Sequence, residues 1–115
     1  MGALKAVTVR LGFNYFALVR SLMAELLDDE NIESQLPAEW ERDGDEIVRT
    51  YEFDEYLEGV AFATNLAEIA EAEFHHPELT IGYKKVEVRL TSHEEGGITD
   101  QDVHMAELFE REAEQ

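Results

Sequence analysis

The chain contains no cysteine, which removes disulfides, thiol catalysis and cysteine-ligated zinc and leaves its redox compartment undetermined. No apolar run approaches the roughly 18 residues that a membrane-crossing helix needs, so no membrane span is expected. Basic residues are scarce: 9 lysines and arginines stand against 27 aspartates and glutamates, for a formal net charge of −18. A field of that sign repels nucleic acid phosphates and anionic lipid, which argues against direct nucleic acid binding. The 115 residues suffice for one domain with one core, and the hydrophobic fraction of 44% is enough to fold it.

Acids are missing from one region altogether. Residues 1–22 carry three basic side chains, Lys5, Arg10 and Arg20, and no acid, so every acid lies from Met23 onward. Such a break marks segments with different roles. A targeting leader fits poorly, because serine is sparse and the apolar residues are interrupted. A helix packed on the domain or on a partner is one alternative, and a natural start at Met23 is another. The favoured reading is a dispensable extension over 1–22, of uncertain order, ahead of a functional domain over 23–115 in a cytoplasmic protein.

Within that domain, "AELLDDENIESQLPAEW" reads as a helix with Leu26, Leu27, Ile32 and Leu36 as apolar positions and Pro37 closing it. "EWERDGDEIVRTYEF" reads as a hairpin turning at Asp43-Gly44. Asp54 is placed to cap the next helix, whose apolar positions Tyr56, Val60, Ala63, Ala67 and Ala70 recur every three or four residues, flanked by Phe62, Leu66 and Ile69. In "LTIGYKKVEVRLTSH" the apolar alternation slips phase at Lys84-Lys85, which predicts two strands joined by a tight reversal. "TDQDVHMAELFEREAE" follows as a helix with Thr99 as N-cap and Asp102 in the capping-box position. The expected fold class is α+β: a four-stranded antiparallel sheet with helices packed on one face.

Three of the four histidines fall between residues 75 and 93. Glu71 and His75 are four apart at a helix end and are expected on one face. Pro77 stiffens the exit from His75-His76, His93 ends the last strand, and Asp102 sits in the first turn of the last helix, where the dipole favours a carboxylate. Imidazoles gathered in this way can divide proton donation, proton acceptance and substrate orientation, with carboxylates fixing their tautomers. Plainer readings stand beside this one. A His-His pair often lies in a surface loop, Asp102 can be a cap alone, and His104 reads as an ordinary surface or core-edge histidine. Glu71, His75, His76 and His93 could also ligate a divalent metal.

The spacing Glu71, three residues, His75-His76-Pro77, five residues, Tyr83, nine residues, His93, eight residues, Asp102 resembles the signature of the pterin-4a-carbinolamine dehydratases. "EWERDGDEIVRTYEF" and "KVEVRLTSHEEGGITDQD" also look like that family, and the resemblance runs from about residue 24 to 110. It implies an antiparallel four-stranded sheet backed by helices. It also implies dehydration of a 4a-hydroxytetrahydropterin to the quinonoid dihydropterin, in support of tetrahydropterin recycling. No metal or organic cofactor is implied, because the pterin is the substrate.

By that resemblance His75 and His93 take the acid and base roles, and His76 binds and orients the pterin. Glu71 and Asp102 orient histidines, and Thr91, Ser92, His93 and Glu94 form substrate-contacting backbone. Phe74 stands where relatives often carry Asp or Asn, and Gln101 where they often carry Arg, both of which bear on how the ring is held. The resemblance further implies a homodimer or homotetramer. Its alternative function is a non-catalytic pterin-binding or dimerisation module, since some family members act as coactivators.

The dense carboxylates would also suit a high-salt cytoplasm. Raising salt should then raise the unfolding midpoint, because the self-repulsion of a −18 chain is screened as the Debye length falls from about 10 Å at 0.1 M to about 3 Å at 1 M. Equal midpoints in low and molar salt would count against that adaptation.

Overall fold

A computed structural model describes residues 14–115; the part of the expected extension before residue 14 lies outside the described residues. The elements run α1 (Tyr15–Leu22), α2 (Asp29–Gln35), β1 (Glu41–Asp43), β2 (Glu46–Glu52), α3 (Tyr56–Glu73), β3 (Glu78–Ile81), β4 (Lys85–Leu90) and α4 (Asp100–Ala113). The strands form one antiparallel sheet in the order β1-β2-β4-β3. Both reversals lie where the sequence puts them. Gly44 takes a φ of +64° between β1 and β2, a conformation that costs glycine little, and residues 82–84 separate β3 from β4 at the phase slip.

The register decides which side chains meet. Ile47 pairs with Leu90, Arg49 with Val88 and Tyr51 with Val86, and Leu79 of β3 lies opposite Val88. With side chains alternating along each strand, these residues share one face. Ile47, Tyr51, Val86, Val88 and Leu90 are buried there in one cluster with Phe62, Leu66 and Ala70 of α3 and Met105, Ala106 and Phe109 of α4. The opposite face carries Thr50, Glu52, Glu87 and Arg89, and the Arg89 guanidinium joins Asp43, Glu46 and Glu87 at 2.9–3.0 Å. Helices therefore cover one face and charge covers the other, as expected for this α+β class.

Three local expectations are corrected. The helix expected from residue 24 begins only at Asp29, because the Asp28 side chain captures the Asn31 N–H at 2.8 Å. Leu26 and Leu27 instead run extended: Leu26 bridges Thr99, and the Leu27 N–H donates to the Ile98 carbonyl at 2.9 Å. Helix α3 is capped by Glu55 rather than Asp54, because the Glu58 carboxylate reaches back to accept from the Glu55 N–H at 3.0 Å. Its buried stripe is Gly59, Phe62, Ala63, Leu66 and Ala70, while Tyr56 and Ala67 face outward. Phe62 and Leu66 bury more area than the alanines, so they set the helix rotation.

The topology also fixes where function can sit. Because Glu78 at the start of β3 pairs with Arg89 near the end of β4, the loop leaving α3 and the turn leaving β4 emerge at the same end of the sheet.

Tyr51 generates a test of the core's far side. Its hydroxyl donates to the Glu110 carboxylate, Arg49 Nε lies 3.3 Å from the same oxygen, and the Arg49 guanidinium sits 4.2 Å from the ring centroid. Burial, and then the bond to Glu110, push the phenol well above its ordinary pKa of 10.0. A raised folded-state pKa means the neutral phenol's contribution is complete below the unfolded value and is lost as pH rises past it. Stability is expected to hold to about pH 10 and to fall above it, and Tyr51→Phe should remove part of that alkaline slope while costing about 1–2 kcal/mol at neutral pH. Urea denaturation at pH 7 and pH 11 checks both.

Candidate active site

At that end of the sheet the structure forms a cleft of about 280 Å³. Phe74, His75 and His76 reach it from the exit of α3, and Thr91, Ser92, His93 and Glu94 from the turn after β4. The three predicted histidines share one cleft, although they come from two separate segments of the chain.

His75 is held from behind. Its Nε2 lies 2.5 Å from Oδ1 of Asp102, whose side chain is fully buried. The other carboxylate oxygen accepts from the Ser92 hydroxyl at 2.8 Å, from the Thr99 N–H at 2.9 Å and from the Thr99 hydroxyl at 3.4 Å. Asp102 is thus both the capping-box residue of α4 and the anchor of His75. A carboxylate can only accept, so the His75 Nε2 carries the hydrogen, and Nδ1 is the ring nitrogen left for chemistry.

The chain reaches His75 through a strained residue. Phe74 ends α3 with a φ of +55°, the left-handed region that side chains other than glycine rarely adopt. The His75 N–H returns to the Ala70 carbonyl at 3.2 Å. This reversal corrects one expectation: Glu71 and His75 do not pair along the helix face, because the helix has ended before His75. Glu71 pairs with His76 instead, through a short contact between Oε2 and Nε2. Both side chains of that pair are more than half exposed, His76 at 62% and Glu71 at 55%.

His93 lies exposed in the turn after β4, and no hydrogen bond to its ring occurs among the described residues. The neighbouring side chains are spoken for. The Thr91 hydroxyl donates to the Asp45 carbonyl at 2.5 Å, and that of Ser92 points inward to Asp102 and Thr99. The Ser92 main chain is also used, its N–H by Gly97 and its carbonyl by Glu95, Gly96 and Gly97. The N–H groups of His93 and Glu94 make no hydrogen bond among the described residues, so they are donors this segment can offer a ligand.

His104 behaves as a core-edge residue, half-buried with its Nε2 3.2 Å from Glu73. Among the described residues, no three His, Asp or Glu side chains are gathered as a metal ligand set, so Glu71, His75, His76 and His93 do not converge in that way. Sequence reasoning missed Ser21, Ala24 and Glu95 as cleft residues and Ser92 as a partner of Asp102. The Ser92 bond depends on a buried register that no periodicity exposes. No described helix is long and apolar enough to cross a membrane.

With this geometry in hand, comparison with known proteins is specific. A family model described as pterin 4 alpha carbinolamine dehydratase matches residues 25–112. A Natronomonas pharaonis protein provisionally named pterin-4-alpha-carbinolamine dehydratase is 59% identical over 92 residues, covering 80% of this chain and 100% of the relative. A provisionally named Thermomicrobium roseum counterpart is 48% identical over 83 residues, covering 70% of this chain and 88% of its own. Among solved structures, a Brucella melitensis protein described as a transcriptional coactivator/pterin dehydratase superposes with a TM-score of 0.72 at 28% identity, covering 77% of this chain and 99% of that one.

The two histidine–carboxylate pairs should differ sharply in stability. Asp102→Asn replaces acceptor capacity with a donor amide among buried donors, and is expected to cost about 1–3 kcal/mol. Glu71→Gln breaks an exposed pair and should cost less than about 1 kcal/mol. Urea unfolding of both variants checks this, and equal losses would contradict the assigned burial.

Proposed function

The chain belongs to the pterin 4 alpha carbinolamine dehydratase family, and on that premise we propose that it removes water from a 4a-hydroxytetrahydropterin to give the quinonoid dihydropterin. The observation that carries this reading is the cleft shared by His75, His76 and His93, with the buried Asp102 carboxylate behind His75.

The reaction breaks the C4a–O bond, removes the N5 proton and forms the C4a=N5 bond as the nitrogen lone pair moves in. Hydroxide leaves poorly, so a proton must reach the oxygen as the bond breaks, and a base must take the proton from N5. His75, its Nε2–H committed to Asp102, offers the Nδ1 lone pair as base. His93, exposed and without a ring partner among the described residues, protonates the departing hydroxyl and reloads from solvent. His76, steadied by Glu71, orients the ring. The N–H groups of His93 and Glu94 are suited to the pterin's carbonyl or ring nitrogens, and Phe74 offers an apolar surface to the bicycle. No cofactor is required, since both protons move between imidazole and substrate. We place the protein in the cytoplasm as a homodimer or homotetramer that serves tetrahydropterin recycling.

The name of the Brucella melitensis structure supports a second reading, a coactivator-like dimerisation module. A stoichiometric protein partner from native lysate, together with no dehydratase rate, would favour it.

Purified protein is expected to speed the decay of chemically generated 4a-carbinolamine. His75→Ala or His93→Ala should each slow the catalysed rate by roughly 10²-fold or more, and the double variant should match buffer. A wild-type rate equal to that of buffer would end the dehydratase reading.

A further inference from the structure

Two side chains in the wall of the cleft precede the residues that the family model matches. Ser21 and Ala24 line it beside the histidines, whereas the family match begins at residue 25. The alignment with the Natronomonas pharaonis relative spans 92 residues, 80% of this chain, and so takes in Ala24.

The segment carrying these residues is docked rather than loosely adjacent. Asn14 caps α1 by accepting from the Ala17 N–H at 3.0 Å, and Ala17 is fully buried. Arg20 Nη1 lies 2.7 Å from Oε1 of Glu73, the last residue of α3, where His104 also reaches. The Ser21 hydroxyl donates to the Phe74 carbonyl at 2.9 Å. These two bonds fall on the strained turn that delivers His75 and His76. A strained turn persists only when its surroundings over-determine it, and Ser21 supplies one of those constraints. The cleft-facing side chains are short, a hydroxyl and a methyl, so the wall leaves room for a flat ring, and added volume there would fill the cleft.

We propose that residues 14–24 form a fixed wall of the pterin cleft, with Ala24 bounding the space available to the ring and Ser21 positioning the Phe74–His76 turn through the Phe74 carbonyl. The proposal rests on the pterin reading above and adds to it a determinant that precedes the residues matched by the family model. It stands against treating residues 1–22 as a dispensable extension.

The test uses the full chain and equilibrium binding of 7,8-dihydrobiopterin, followed by fluorescence quenching, so that no turnover is needed. Ala24→Leu should weaken binding about tenfold through steric overlap, while the similarly sized Ala24→Ser stays near wild type. Ser21→Ala should weaken binding about fivefold, and Ser21→Thr, which keeps the hydroxyl, should restore it. A merely structural effect would lower the unfolding midpoint without this pattern of loss and rescue. Binding unchanged within about twofold in both Ala24→Leu and Ser21→Ala would overturn the wall while leaving the dehydratase reading intact. Should Ala24→Leu fail to fold, Ser21→Ala alone decides. A wild-type protein that binds no pterin overturns both.

Discussion

The arrangement depends on one buried carboxylate. Asp102 is fully enclosed, and an ion in such a place is stable only when its lone pairs are met. They are met by four groups from three places: the Thr99 N–H and hydroxyl at the start of α4, the Ser92 hydroxyl in the turn after β4, and His75 beyond the end of α3. Helix start, strand exit and the His75 imidazole are tied to the same two oxygens. Loss of any one donor leaves the others facing an incompletely satisfied charge, so the folding of this end of the sheet and the aim of His75 are one problem.

That coupling separates the two histidine–carboxylate pairs. His75 with Asp102 is shielded and constrained, which fixes the tautomer and orientation of the ring. His76 with Glu71 is wet, so it carries little folding energy and can yield to a ligand with little loss. His93 is exposed, with no hydrogen bond to its ring among the described residues. Three imidazoles of one chemical type thereby acquire different surroundings, which suit them to the different duties proposed above.

Much of this is legible in the amino-acid sequence. The slip of phase at Lys84-Lys85, the Asp43-Gly44 turn and the Thr99…Asp102 box each rest on local physics, and each holds. The convergence of His75, His76 and His93 was legible from their spacing within recognisable elements. What failed was of two kinds. Where two local options competed, as with Asp54 against Glu55 or Leu26-Leu27 as helix against bridge, the winner was chosen by side-chain reach and by the pairing of Leu26 with Thr99. The pairing of Glu71 was misread for a different reason. The i, i+4 rule holds only inside a helix, and the left-handed Phe74 ends it one residue before His75.

The break in composition before Met23 was the least legible feature, because charge reports contrast and says nothing about distance. An acid-free segment next to a domain holding all 27 acids can be read as a boundary, and opposite charges are equally a reason to associate. In the described part of that segment, Arg20 finds the Glu73 carboxylate, whose side chain is only 14% exposed, so the pair is less screened than a surface contact would be. Ser21 then adds a directional bond to the main chain one residue further on. Charge brings the helix to the end of α3, and the hydroxyl fixes its register there. Two residues that a composition profile would assign to separate segments, Ser21 and His75, consequently line the same cleft.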